Sequence, residues 1–307
     1  MNQQQYEPFS RWWDVVARWL NVTSEGGQSD ETVRPIRPRQ RRRLWPRVLF
    51  AVLFIILLML LGRGVFLYTE WLWFGEVGYT SVFTKTLLTK FWMGLAAGAI
   101  FFGAIYGNLI LARRFAPKYR ITPDGEIVER PAVADRLLRW LIPASLVIPT
   151  LIVTGIGSSA WDEYLMFSSS SLFGATDPVF NYDIGFYVFR LPFLQALQSF
   201  AWWTLIFTLL ATAAMHFFDY AISWSKGRVN LAPHVKAHLS VLFGLIMLVY
   251  AAGYLLKGYE LMFSTRGVVF GASYTDVHAQ LPVYKFLALT AVVAAVLFLV
   301  NIYFKGW

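Results

Sequence analysis

Six charged residues recur at matched places in this sequence. Glu70, Glu163 and Glu260 each stand where an apolar stretch ends, and Lys90, Arg190 and Lys285 each stand near the start of the next one. Carboxylates and cations held as pairs could fix one helix against another and form a rim on which a partner docks. The blander reading makes them separate interfacial anchors, whose stems lie along apolar surface while the charge reaches the headgroups. A second set is histidine. His234 and His238 are one helical turn apart and could share a face and bind metal, with His216 and Asp219 as residues that could approach them. No HExxH pattern accompanies them and the chain has no cysteine, so they read as interfacial histidines, and no metal or cofactor is assigned.

Other reactive constellations are missing. There is no Walker loop, GxGxxG, GxSxG or paired-carboxylate arrangement, and the serine run Ser168–Ser171 reads as loop rather than nucleophile. The zero cysteine count excludes disulfides, thiol catalysis and iron–sulfur ligation. The chain therefore does not read as an enzyme.

The elements that position these residues are apolar and long. Of the 307 residues, 57% are hydrophobic, 18% aromatic and only 15% charged, too little charge for a soluble fold of this size. Six stretches reach the roughly 20 residues needed to cross a bilayer: Trp45–Tyr68, Thr86–Ala112, Leu137–Ile156, Leu191–Phe218, Val235–Leu256 and Pro282–Phe304. Each is apolar all round, so the expected fold is all-α, a polytopic membrane bundle of six transmembrane helices. The first stretch is too long, and too far from the N-terminus, to be a signal peptide. Arg63 within it lies about 27 Å from Trp45 at 1.5 Å per residue, at the far interface where its side chain can snorkel. Gly94, Gly98, Gly103 and Gly107 give two GxxxG spacings in the second stretch, and Pro143 and Pro149 predict kinks in the third.

The net charge of +9 is distributed as a topology signal and not as a nucleic-acid surface. Arg34, Arg37, Arg39, Arg41, Arg42, Arg43 and Arg47 precede the first span. Arg113, Arg114, Lys118, Arg120, Arg130, Arg136 and Arg139 follow the second, and Lys226, Arg228 and Lys236 follow the fourth. These loops share one side, which the positive-inside rule makes cytoplasmic, with the N-terminus. The other side carries Glu70, Glu76, Asp162, Glu163, Asp177, Asp183, Glu260 and Asp276. Residues 1–44 form a cytoplasmic tail. Phe9, Trp12, Trp13, Val16, Trp19 and Leu20 share a face of an amphipathic helix, and the arginine cluster follows, a combination suited to an anionic inner leaflet or a docked partner.

Residues 45–307 carry the spans and an internal resemblance. Phe-Gly pairs at Phe74, Phe173 and Phe270 lie roughly 99 and 97 residues apart. Leu-Met-Phe-Ser precedes the second and third pairs, and Tyr-Thr-x-Val follows the first and third. The pattern predicts three parallel units of helix, outer loop and helix, at about 45–112, 137–218 and 235–304, rotated about the membrane normal. Chance likeness of aromatic interfacial loops is the alternative.

The run from Glu70 through Trp71, Phe74, Tyr79 and Phe83, the Asp177–Phe180 and Asp183–Phe189 segments, and Tyr274–Val277 with Gln280–Pro282 together resemble uncharacterised protein family 0182 of bacteria. The resemblance runs from about Trp45 onward and leaves out the tail. It implies a multi-pass plasma-membrane protein whose chain continues into a further span and a large outer domain, and it brings no activity or catalytic residue. Since this sequence stops at Trp307, it reads as a truncated or split member. The expected function is a membrane anchor or assembly module for an extracytoplasmic domain or partner, with a transporter or channel subunit as the alternative.

Overall fold

A computed structural model describes residues 45–115, 119–121, 127–129, 132–218, 222–225, 228–265, 267 and 270–304. The amphipathic tail, the arginines from Arg34 to Arg43, Lys118, Arg130, Asp219 and Lys226 lie outside the described residues. The helices are α1 (Trp45–Glu76), α2 (Thr80–Phe115), α3 (Ala132–Ser159), α4 (Trp161–Ser168), α5 (Leu191–Phe218), α6 (Pro233–Glu260) and α7 (Leu281–Phe304). Six are long and apolar enough to cross a membrane, all but the short α4. In an apolar medium an extended chain would leave its N–H and C=O groups unpaired, and the helix pairs them within one segment. Pro143 and Pro149 both lie inside the single continuous helix α3.

Two short antiparallel hairpins appear in the basic loops, which the all-helical expectation did not include. Tyr119–Ile121 pairs with Ile127–Glu129, and Ile222–Ser225 with Arg228–Leu231. Local pairing satisfies the backbone N–H and C=O groups of these short segments.

The chain forms two compact units, Met1–Tyr68 and Thr69–Trp307. In the second, α3 packs on α2, α2 on α5, α5 on α6 and α6 on α7. On α2 the buried face is Gly94, Gly98, Phe101, Ile105, Leu109 and Ala112, a stripe stepping by three and four residues. Phe101, Ile105, Leu109 and Ala112 form one core with Leu146 of α3 and Met215 of α5. The glycines bring α3 close: a Cβ on Gly98 would strike the Thr154 hydroxyl, and one on Gly157 would strike the Ala97 Cβ. Gly103 and Gly107 face open space, so only the first GxxxG pair is used for packing. Ala288, Ala291 and Ala295 are buried at the same helical spacing on α7, and Ala295 and Leu299 lie against Gly244 of α6.

The predicted repeat units differ in their neighbours. Helix α6 lies along α7, whereas α3 lies along α2, and α5 lies between α2 and α6. Their Phe-Gly pairs differ as well. Gly75 is inside α1, while Gly174 and Gly271 have φ of 75° and 119°. The second and third returning helices share a further feature, a π turn (Phe186–Arg190 and Asp276–Gln280) immediately before a Leu-Pro pair. Proline lacks an N–H, and its ring collides with the carbonyl four residues back, so the preceding turn widens. The Leu191 and Leu281 amides accordingly reach back five residues, to Phe186 and Asp276 carbonyls.

Candidate functional site

At the end of the bundle carrying the acidic loops, two aspartates build the segment between α4 and α5. Asp177 Oδ1 accepts the amides of Val179 and Phe180, both at 2.8 Å, and Oδ2 accepts the Tyr182 amide at 3.1 Å and the Tyr187 hydroxyl at 2.6 Å. Asp183 accepts the amides of Phe173 (3.0 Å), Gly174 (2.9 Å) and Gly185 (2.7 Å). Burial pushes the Asp177 carboxyl up, but its four donors outweigh it and hold it below the ordinary 3.8. The Phe173 amide leads in lowering Asp183; desolvation opposes it, and the Gly185 and Gly174 amides add to the lowering. Asn181, at φ 59°, makes the turn between the two aspartates, and a Thr176–Asp183 bridge closes it.

Aromatic rings seat this loop on α6. Tyr259 meets Phe180 at 4.8 Å, Phe186 at 5.4 Å and Tyr182 at 5.7 Å between centroids, and Tyr187 meets Phe263 at 5.9 Å. In the loop before α7, the buried Asp276 accepts the Ser273 amide at 3.0 Å and its hydroxyl at 2.9 Å, and Tyr274 stacks on His278 at 4.0 Å. The loops expose Leu172, Phe173, Phe270 and Tyr274, the last at 77%. Large apolar side chains held out on hydrogen-bonded loops are suited to docking.

Three of the six recurring charges meet neutral groups. Gln195 donates to Glu260 at 2.6 Å, and Arg190 donates to Ser170 at 3.3 Å. Lys90 lies 4.8 Å from the Trp161 ring centroid, bringing α2 onto α4, and its charge helps lower Asp162. The leading influence on that carboxyl is its neighbour. Sharing a hydrogen bond lowers Asp162 and raises Glu163. Glu70 lies in the last turns of α1, and Lys285 is exposed in the first turns of α7.

At the opposite end, the histidines come together. His216 Nε2 and His238 Nδ1 are 3.2 Å apart, and His238 Nε2 is 2.9 Å from Asn108 Oδ1. The His216 and His234 rings are 6.0 Å apart. Thr204, Thr208 and Thr212 continue from His216 as a buried row on α5. His216 Nδ1, His234 Nε2 and the Thr204 and Thr212 hydroxyls have no hydrogen-bond partner among the described residues. No three histidine or carboxylate side chains among those residues converge as metal ligands. The contacts bond the rings to each other and to an amide, tying α2, α5 and α6 together.

Residues 47–307 match the family model described as Uncharacterised protein family (UPF0182). The chain belongs to that family. UPF0182 proteins similar to it come from Thermobifida fusca (36% identical over 272 residues, 88% of this chain and 26% of the relative). Others come from Salinispora tropica (35% over 271 residues, 86% and 27%) and Pelobacter propionicus (34% over 263 residues, 85% and 29%). The chain thus spans between a quarter and a third of the length of these curated relatives. No solved structure matches.

Three functional features of this UPF0182 chain were not read from its sequence. The segments holding Asp177 and Asp183 carried the family resemblance, but their role as acceptors for seven donors did not follow from spacing. Asp177-Pro178 with Asn181 three residues after the proline is a turn signal that could have pointed there. Asn108 lies 130 residues from His238, and no local pattern joins them. The threonine row has a readable four-residue period, hidden by the apolar residues around it.

Proposed function

We propose that this chain is a plasma-membrane base, with its N-terminus in the cytoplasm, whose acidic end is a preformed platform for an extracytoplasmic domain or protein partner. The observation that carries this reading is the Asp177 and Asp183 loop. Seven charge-assisted hydrogen bonds organise a segment next to exposed Leu172 and Phe173. A surface ordered before contact costs less entropy on binding. The greater length of the relatives leaves room in them for such a domain.

The test is a photoreactive phenylalanine analogue at Phe173 or Tyr274, in the full-length protein in cells, with exposed Trp140 of α3 as the bilayer control. Crosslinks to polypeptide from the first two positions, and to lipid alone from Trp140, are the expected result. Lipid-only adducts at all three would remove the platform.

A second reading, a transporter or channel subunit, is favoured by the buried row Thr204, Thr208, Thr212 and His216, since polar groups in a membrane interior commonly line a path. Single cysteines at the three threonines distinguish it. Reaction with a small water-soluble thiol reagent supports a path, and protection supports a dry packing role.

A further inference from the structure

At the end of the bundle opposite the acidic loops, three contacts fix where the hydrogens of the histidine chain lie. Asn108 Nδ2 donates to the Ala104 carbonyl at 2.7 Å, and a carbonyl can only accept, so the amide cannot be turned the other way. Its Oδ1 therefore faces His238 Nε2 at 2.9 Å, and it too can only accept. His238 thus carries its hydrogen on Nε2, which in a neutral ring leaves Nδ1 bare. That bare nitrogen accepts from His216 Nε2 across 3.2 Å, so His216 Nδ1 is bare in turn. It is the open end of the chain, a lone pair on a ring with no exposed surface and no hydrogen-bond partner among the described residues.

A bare imidazole nitrogen takes a proton or a metal ion. Among the described residues no three histidine or carboxylate side chains converge on a metal, which leaves the proton. Water is near, because His216 lies about 38 Å along α5 from Leu191, past a hydrocarbon core of about 30 Å.

The surroundings offer a proton no counter-charge. The titratable rings facing His216 are His234 and His238 of α6. Of the elements packed on α5, α2 adds Asn108 and, in its last turn, Arg113 and Arg114, and α6 adds Lys236. The strand Ile222–Ser225 has no titratable residue, and Arg228 starts the strand paired with it. All these groups are neutral or basic. Asp219, the acid nearest in sequence, is outside the described residues. A proton from hydronium forms an N–H bond at His216 Nδ1, and the Nε2 hydrogen can then pass to His238 Nδ1, moving the charge to α6. Either way a buried charge stands unpaired and the new N–H has no acceptor, which disfavours the closed packing. We propose that His216, His238 and Asn108 form a proton-operated latch. Neutral, it ties α2, α5 and α6 together at their basic ends, and one proton on His216 Nδ1 releases it.

Two measurements on the purified full chain test this, at pH about 7.5 and about 5.5, either side of the ordinary histidine value of about 6.5. The chain has four histidines, so single substitutions assign their imidazole nitrogen-15 signals. At the higher pH His216 and His238 should both show a bare Nδ1 and a protonated Nε2. Spin labels on Leu111→Cys of α2 and Val241→Cys of α6, both exposed positions, report the latch distance, which should lengthen by several ångströms at the lower pH. His216→Gln keeps an N–H for His238 and takes no proton, so its distance should not respond. Asn108→Asp sets a carboxylate against His238 and should stay closed at both values, a second arm should His216→Gln fail to fold. Rings protonated on Nδ1 at the higher pH, or a wild-type distance that ignores pH, overturn the proposal. So does a wild-type response in either folded variant.

Discussion

Asp177 has two oxygens and four donors aimed at them, which makes it sensitive to losing one oxygen. In Asp177→Asn one of the two positions becomes an NH2 group. The Tyr187 hydroxyl could turn to accept from it, but the backbone N–H groups cannot, so the amide would face at least one donor. Leaving such a group unsatisfied costs about 1–3 kcal/mol. The expected outcome is a lower thermal midpoint and faster exchange of the Val179 and Phe180 amides, with the spans intact by circular dichroism. The pH dependence has a definite sign. Asp177 and Asp183 both titrate lower in the fold than the ordinary 3.8. Their contribution is therefore complete above that value and lost as pH falls through the lower folded values. The wild-type midpoint should fall as pH drops below about 4, and this acid limb should be shallower in Asp177→Asn. A limb of unchanged steepness would mean that other carboxylates govern acid unfolding.

Helix packing shows where a sequence pattern carries information and where it stops. Two GxxxG spacings on α2 are indistinguishable in the sequence, yet Gly94 and Gly98 meet α3 while Gly103 and Gly107 meet nothing within 4 Å. Gly98→Leu should therefore push α3 away and cost about 1–3 kcal/mol by overpacking. Gly107→Leu should be neutral or slightly stabilising, since leucine is the better helix former. Equal losses, read from unfolding midpoints in detergent, would contradict the α2–α3 packing. Six helices were legible because length and apolarity alone determine them. Neighbours were not legible, because a periodic stripe says that a face is buried but not against what. Asn108 and His238 illustrate this: they meet only because α2 lies near the basic end of α6 as well as against α5. The π turns were legible in principle from Leu191-Pro192 and Leu281-Pro282. Helix periodicity conceals them, because a single wide turn changes the register by one residue and leaves the apolar run unbroken.

At the scale of the whole molecule, the function proposed for the Asp177 loop depends on which side of the membrane it faces. Six spans that cross in alternating directions would put the basic loops between the second and third spans and between the fourth and fifth on the side of the N-terminus, and the Asp177 loop on the other. Lys and Arg near span ends resist translocation and Asp and Glu contribute little, so the basic side should be cytoplasmic. The absence of native cysteine makes this directly measurable. Single cysteines at Ser24, Gly125 and Ser170 can each be exposed to a membrane-impermeant maleimide, first in intact cells and then after permeabilisation. Ser170→Cys should label at once, and the other two only after permeabilisation. Labelling of Gly125→Cys in intact cells would invert the orientation. The Asp177 platform would then face the cytoplasm, and no extracytoplasmic partner could reach Phe173 or Tyr274. Protection at all three positions would instead bury Ser170 under a partner or the bilayer. The photocrosslinks from Phe173 tell these two apart, because adducts to polypeptide mean a covered platform and adducts to lipid mean a submerged one.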